Sequence, residues 1–145
     1  MKGTALLIDT NVVLDWLMKR QPFNNEATKI IALCIKRDVT GYLACHSIPN
    51  ILYIVRKDFG VEKRKEIGLM LCYRFNIIGI DRQIIIKALQ NKNWDDLEDG
   101  LQMQCAIVEK IDYIITRDQS GFESSAVQAI SPEAFLKLYE RMQES

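Results

Sequence analysis

Residues 5–17 read ALLIDTNVVLDWL, and this stretch decides the fold. A four-residue apolar run, Ala5 to Ile8, is the length of a buried strand and stops abruptly at Asp9. Thr10 and Asn11 follow, and then Val12 to Leu17 has the spacing of a short helix. Strand, acid, helix is the first half of a βαβ unit. The same alternation continues outward to the end of the chain. Helical spacing recurs over 25–36, a strand over 41–45, two helices over 48–59 and 62–73, and a strand over 76–80. Helices then cover 82–90 and 96–111, strands 113–116 and 127–130, and a last helix, opened by Ser131 and Pro132, reaches about 142. The pattern predicts one α/β domain over 1–145 with a central parallel sheet.

Composition narrows the chemistry. The 145 residues carry 19 Lys plus Arg and 19 Asp plus Glu. Zero net charge argues against a protein that coats nucleic acid by bulk electrostatics and leaves room only for a local basic patch. The four cysteines, Cys34, Cys45, Cys72 and Cys105, form no CxxC pair and read as reduced core thiols. The N-terminal apolar stretch meets Asp9 too soon for a signal peptide, and no apolar run approaches a membrane span, so a cytoplasmic location is expected. His46 is the single histidine, which nearly excludes Ser-His-Asp and two-histidine chemistry. Its CHS setting reads as a local hydrogen bond. Catalysis, if present, falls to carboxylates.

In a parallel α/β sheet, ligands bind beyond the carboxyl ends of the strands. Asp9 follows LLI, Asp118 follows IIT after one Arg, and WDDLEDG puts Asp95, Asp96, Glu98 and Asp99 in the first turn of the helix before strand four. If strands one and four are neighbours, these acids meet. Clustered carboxylates that stay ionised call for a divalent cation, and oxygen-only ligands select Mg²⁺ or Mn²⁺. Such a site suits hydrolysis of phosphate esters. Each acid also has a plain structural reading. Asp9 could cap the short helix; Asp95 or Asp96 could cap the later one, with Glu98 completing a capping box; and Asp118 could be a turn aspartate. Asp99 resists that reading, because its helix carries two apolar stripes, Met103–Ala106–Ile107 and Leu97–Leu101–Cys105–Val108, and so reads as largely buried. Asp81 is most simply an N-cap. Arg56, Lys57, Lys63, Arg64 and Lys65 are interleaved with Asp58, Glu62 and Glu66 and read as a solvated helix face, with phosphate contact as the alternative.

Taken together, these residues resemble the PIN-domain nucleases, and within them the small single-domain proteins similar to VapC-type toxins. LLIDTNVVLDWL resembles the opening strand with its first metal-binding aspartate, here Asp9. DLEDGLQMQCA resembles the acidic helix start, with Asp99 the matching aspartate, Asp96 and Glu98 accompanying acids, and Ala106 the small residue seven positions on. YIITRDQSGF resembles the closing motif, with Thr116 and Asp118 in place. The resemblance implies a three-layer α/β/α sandwich. It also implies a catalytic set of Asp9, Asp99 and Asp118, Mg²⁺ or Mn²⁺ held by these three and Asp96, and secondary roles for Asn11, Asn50, Glu98 and Thr116. The activity implied is endoribonuclease cleavage by a homodimer restrained by an antitoxin protein. Arg20, Arg56, Lys57 and Arg117 are the candidates for holding RNA.

Two positions depart from the family pattern. Asn50 stands where a Glu is common, which removes a negative charge and lowers the expected metal affinity, and Gly121 stands where many members have Asp. Both keep open a second reading, a weakened module that binds RNA or protein without cutting. A third, a phosphatase of the haloacid dehalogenase type, follows the order Asp9, Asn11, Val13 only superficially, since Asn11 cannot act as a general acid.

Overall fold

The computed structural model describes residues 3–144. Five strands form one sheet of order β3-β2-β1-β4-β5, comprising β1 (Ala5–Ile8), β2 (Thr40–Ala44), β3 (Asn76–Ile78), β4 (Tyr113–Ile115) and β5 (Ala129–Ile130). Every pairing is parallel, with Leu7 opposite Tyr42 on one side and Ile114 on the other. The helices are α1 (Thr10–Leu17), α2 (Asn24–Ile35), α3 (Ser47–Ile54), α4 (Val61–Arg74), α5 (Arg82–Gln90), α6 (Leu97–Val108) and α7 (Pro132–Gln143). Successive strand side chains point to opposite faces, and both faces are covered. Leu6 and Ile8 enter a core shared with α1, α2, α3, α4 and α7, whereas Leu7 enters a second core with Ile84 of α5 and Met103 and Ala106 of α6. This is the expected α/β/α sandwich. No helix among the described residues is long and apolar enough to cross a membrane.

Element ends differ from the sequence reading where pairing or capping intervenes. β3 stops at Ile78 rather than 80 because its one neighbour, β2, ends at Ala44; the last bond runs from the Cys45 N–H to the Ile78 carbonyl at 2.9 Å. β5 is likewise shorter than 127–130, since it pairs only with Ile114 and Ile115. The single helix expected over 48–59 breaks after Ile54 into a tighter turn, Val55–Lys57, that carries Val55 into the core. α6 ends at Val108, not 111, because Lys110 adopts a left-handed φ of 53° and the Ile111 N–H closes back on the Ala106 carbonyl at 2.9 Å. Nor is α6 buried on two faces: Leu97, Ile107 and Val108 are exposed, so only Cys105 of that second stripe is buried. The caps at Asp81 and Ser131 are as expected, accepting from the Ile84 and Ala134 N–H groups at 3.0 Å each.

All four cysteines are free, but only Cys34 and Cys105 are buried; Cys72 is exposed, against its reading as a core thiol. Burial pushes both buried thiols up to about 12, which keeps them protonated and inert.

Candidate functional site

β1 and β4 are hydrogen-bonded neighbours, so Asp9 and the segment after Ile115 emerge side by side; the Asp9 N–H itself donates to the Ile115 carbonyl at 3.0 Å. Asp9 occupies the N-cap position of α1 but makes no side-chain cap. Its carboxylate turns the other way. Oδ1 accepts from Gln102 Nε2 and Oδ2 from Thr116 Oγ1, both at 2.9 Å. Asp9, Gln102 and Thr116 are each more than nine-tenths buried. Burial raises the Asp9 carboxyl above the usual carboxylate range, opposed by those two side-chain donors and assisted by the charge of Asp118.

Thr116 is shared: its hydroxyl donates to Asp9 and accepts from the Asp118 N–H at 3.0 Å. Asp118 opens a short turn (Gln119–Phe122) without capping it, and its Oδ1 instead accepts from Ser120 Oγ at 2.7 Å. Gly121 lets the acids approach. A Cβ there would stand 2.7 Å from Asp99 Oδ2 and 3.1 Å from Asp118 Oδ2, so the two carboxylates flank the bare glycine.

The start of α6 supplies the other acids. Asp96 is its N-cap, accepting from the Glu98 N–H at 2.9 Å, while Asp95 lies outside the helix. The capping box does not form, because with Asp96 as the cap Glu98 falls at the second helical position rather than the third, and its carboxylate accepts instead from Asn50 Nδ2 on α3. Gly100 is needed one turn in, where a Cβ would meet the Trp94 indole at 2.7 Å; that indole anchors the preceding loop by donating to the Ala88 carbonyl. Asp99 is half-buried. Desolvation, then the charges of Asp9, Asp96, Asp118 and Glu98, push its carboxyl up to about 7. Burial, helped by Asp96 and Asp9, also raises Glu98.

Asp95, Asp96, Asp99 and Asp118 thus line one cleft of about 270 Å³ with Ser120 and Gly121, and among the described residues no lysine or arginine lines it. The carboxylate oxygens of Asp95, Asp96, Asp99 and Asp118, crowded enough that burial and its acidic neighbours raise Asp99, fit a hard divalent cation. The side chains stand apart, however. Among the described residues no three acids converge at metal-holding spacing, as mutual repulsion and the ties of Asp9 to Gln102 and Thr116 dictate.

His46 is half-buried, and desolvation lowers the ring's pKa while an interaction with the Glu98 backbone opposes that shift. Gln102 escaped the sequence reading; the one available signal was an amide next to Met103 on the buried stripe of α6. The basic candidates are dispersed. Arg117 binds the buried Asp15 through Nε at 2.9 Å and Nη2 at 3.4 Å. Arg20 reaches Asp15 at 3.8 Å and Asn11 at 3.5 Å, which brings those two arginines together. Arg56 lies over the Tyr53 ring at 3.7 Å, and Lys57 is exposed beside it.

A family model described as "PIN domain" matches residues 5–120. No curated protein matches the chain. Solved structures do: a toxin-antitoxin complex from Klebsiella pneumoniae (19% identity, 88% of this chain and 98% of the other, TM-score 0.66) has a similar fold. So do FitAcB from Neisseria gonorrhoeae (22%, 88% and 98%, TM-score 0.64) and DNA-bound VapBC from Salmonella typhimurium (14%, 88% and 98%, TM-score 0.65). The model match spans the Asp9, Asp99 and Asp118 motifs, on the sheet order and layers described above, and the chain belongs to the PIN-domain family.

Proposed function

We propose that this chain is a Mg²⁺- or Mn²⁺-dependent endoribonuclease, the toxin of a toxin-antitoxin pair, acting in the cytoplasm. One observation carries the reading: Asp99 is half-buried with Asp9, Asp96, Asp118 and Glu98 close enough to help burial push its carboxyl up to about 7, and among the described residues no basic side chain lines the cleft. Crowded carboxylates without a basic partner resist ionisation until a cation offsets their charge, which supports a cation-binding site here. Asp9, Asp99 and Asp118, with Asp96, are the residues that would hold the metal, drawing together around it. When bound, such an ion lowers the pKa of a water and offsets charge on a phosphodiester. Gln102 and Thr116 hold the Asp9 oxygens, Ser120 holds Asp118, Glu98 borders Asp96 and Asp99, and Asn11 accepts from Arg20. Arg20, Arg56, Lys57 and Arg117 supply the local positive charge that an otherwise neutral chain needs for RNA.

An antitoxin is the proposed protein partner, since the structural neighbours are themselves toxin-antitoxin complexes. A homodimer is supported by the apolar surface of α3 and α4, where Tyr53, Ile54, Val61, Leu69 and Tyr73 are all exposed. A second reading, a module that binds without cutting, draws on Asn50, which gives Glu98 a neutral amide where the family commonly has another acid.

The decisive experiment is cleavage of single-stranded RNA with Mn²⁺, Mg²⁺ or chelator. The nuclease reading expects cleavage that chelator stops and that Asp9→Asn and Asp99→Asn abolish. RNA bound equally by parent and variants and cut by neither favours the second reading.

A further inference from the structure

One cavity lies beside the acidic cleft and is not used by it. It measures about 340 Å³ and is lined by Asp15, Phe23, Glu26, Arg117, Pro132 and Glu133, among others. Its centrepiece is a stacked pair, the Arg117 guanidinium seated over the Phe23 ring at 4.1 Å. Asp15, 1% exposed, grips that guanidinium at 2.9 and 3.4 Å. A buried carboxylate therefore fixes the orientation of an arginine plane, and Phe23, 40% exposed, leaves ring surface open to a guest. Flat guests stack on such surfaces.

The charges around the pair select the guest. Asp15 is matched by Arg117, and Glu133 by Lys137 at 3.3 Å. Glu26 makes no ion pair among the described residues and stands in the first turn of α2. A phosphate is repelled by it, whereas the edge of a base with N–H donors is not. Arg117 also ties the pocket to the acidic cleft, because its chain neighbours are Thr116, which holds Asp9, and Asp118.

We propose that this pocket is a nucleobase subsite with guanine as its preferred occupant, stacked on the Phe23–Arg117 pair with Glu26 accepting from N1–H and N2–H. Guanine alone among the RNA bases offers two adjacent donors on its Watson–Crick edge, and a carboxylate offers two adjacent acceptors. Adenine and cytosine present an amino group beside an acceptor nitrogen, and uracil one N–H between two carbonyls. The inference rests on RNA being the substrate, as proposed above.

The test uses the full chain and short single-stranded RNAs identical except for one central base, guanine, hypoxanthine, adenine, cytosine or uracil. Binding is read by fluorescence anisotropy in divalent-free buffer, and cleavage is mapped separately with Mn²⁺. Guanine is expected to bind roughly tenfold more tightly than the other standard bases. Hypoxanthine, which lacks the 2-amino group, should lose most of that advantage. Glu26→Gln should erase the guanine preference while leaving the adenine RNA bound as before, and Phe23→Leu should weaken every RNA alike. Equal binding of guanine and hypoxanthine RNAs, or an undiminished preference in Glu26→Gln, overturns the subsite. Mn²⁺-dependent cleavage with no base preference overturns the subsite alone; no binding and no cleavage of any of these RNAs overturns the nuclease reading with it. A guanine preference untouched by both variants, with loss instead of affinity for an oligoarginine peptide, assigns the pocket to a protein side chain and overturns the base.

Discussion

Asp9 has the extended backbone of an N-cap, φ −65° and ψ 146°, yet its carboxylate caps nothing. It is held by Gln102 and Thr116 across two other elements. A capping aspartate belongs to its own helix, and this one belongs to the sheet edge. Gln102→Leu keeps the volume and removes the donor to Oδ1. The Asp9 carboxyl should then rise further, because a hydrogen bond that favours the charged form is lost. Mn²⁺ affinity, measured by calorimetry at pH 7, should fall about tenfold, in line with the ~1.5–3 kcal/mol of a hydrogen bond to a charged group. Asp99 sets a pH signature. Its folded pKa, about 7, lies above the ordinary 3.8. A raised acid contributes stability that is complete below the unfolded value and lost as pH rises through the folded one. In chelator, Asp99→Asn should therefore gain on the parent as pH rises from about 4 to 7, and level off above that window. Urea unfolding across the range, parent against variant, reads this directly; parallel pH curves would refute it.

At the scale of elements, two helices offer a controlled comparison, since α5 and α6 pack on the same sheet face and both begin with a capping aspartate. Asp81 caps α5 away from the cleft acids. Asp81→Ala should lower the unfolding free energy by ~1 kcal/mol and leave cleavage and Mn²⁺ binding at parental levels. Asp96 caps α6 and also repels Asp99 and Glu98. Asp96→Ala loses a cap and relieves that repulsion, so in chelator its destabilisation should be smaller than that of Asp81→Ala, and with Mn²⁺ it should be larger. Denaturant midpoints of the two variants, with and without metal, check the crossing. Lys63 and Lys65 on α4 form the solvated face they were read to be, with Lys63–Glu66 and Lys65–Glu62 pairs at 3.6 and 3.7 Å between exposed side chains, whereas Arg64 between them is half-buried with its Nε inaccessible. Such pairs contribute little to stability.

For the whole molecule, the apolar side chains left outside the two cores are the informative ones. Leu69 and Tyr73 stand one turn apart on α4 and are 56% and 74% exposed. With Tyr53 and Ile54 of α3 they make the surface on which a second copy is proposed to pack. Light scattering at micromolar concentration should give twice the 16.7 kDa chain mass, and Leu69→Lys should return it to a single mass without loss of helical signal. A single mass for the parent would remove the dimer.

Much of this was legible in the chain itself. Alternating apolar runs and helical spacings specify strands that must be covered on both faces, and Asp9, Asp99 and Asp118 announce themselves because each follows a strand or opens a helix where a parallel sheet exposes its carboxyl edge. Local chemistry also placed the Asp81 and Ser131 caps, since capping is settled within three or four residues. Contacts between distant segments were not legible. The length of β3 depends on where β2 ends, the end of α6 on a left-handed Lys110, and the orientation of Asp9 on Gln102, 93 positions away. Asn50 meeting Glu98, and Asp15 gripping Arg117 over Phe23, likewise join residues whose spacing carries no period. Periodicity is a property of neighbours along the chain and so reaches the layers and the acids; which partners hold each carboxylate depends on packing, because packing brings segments far apart in the chain into contact.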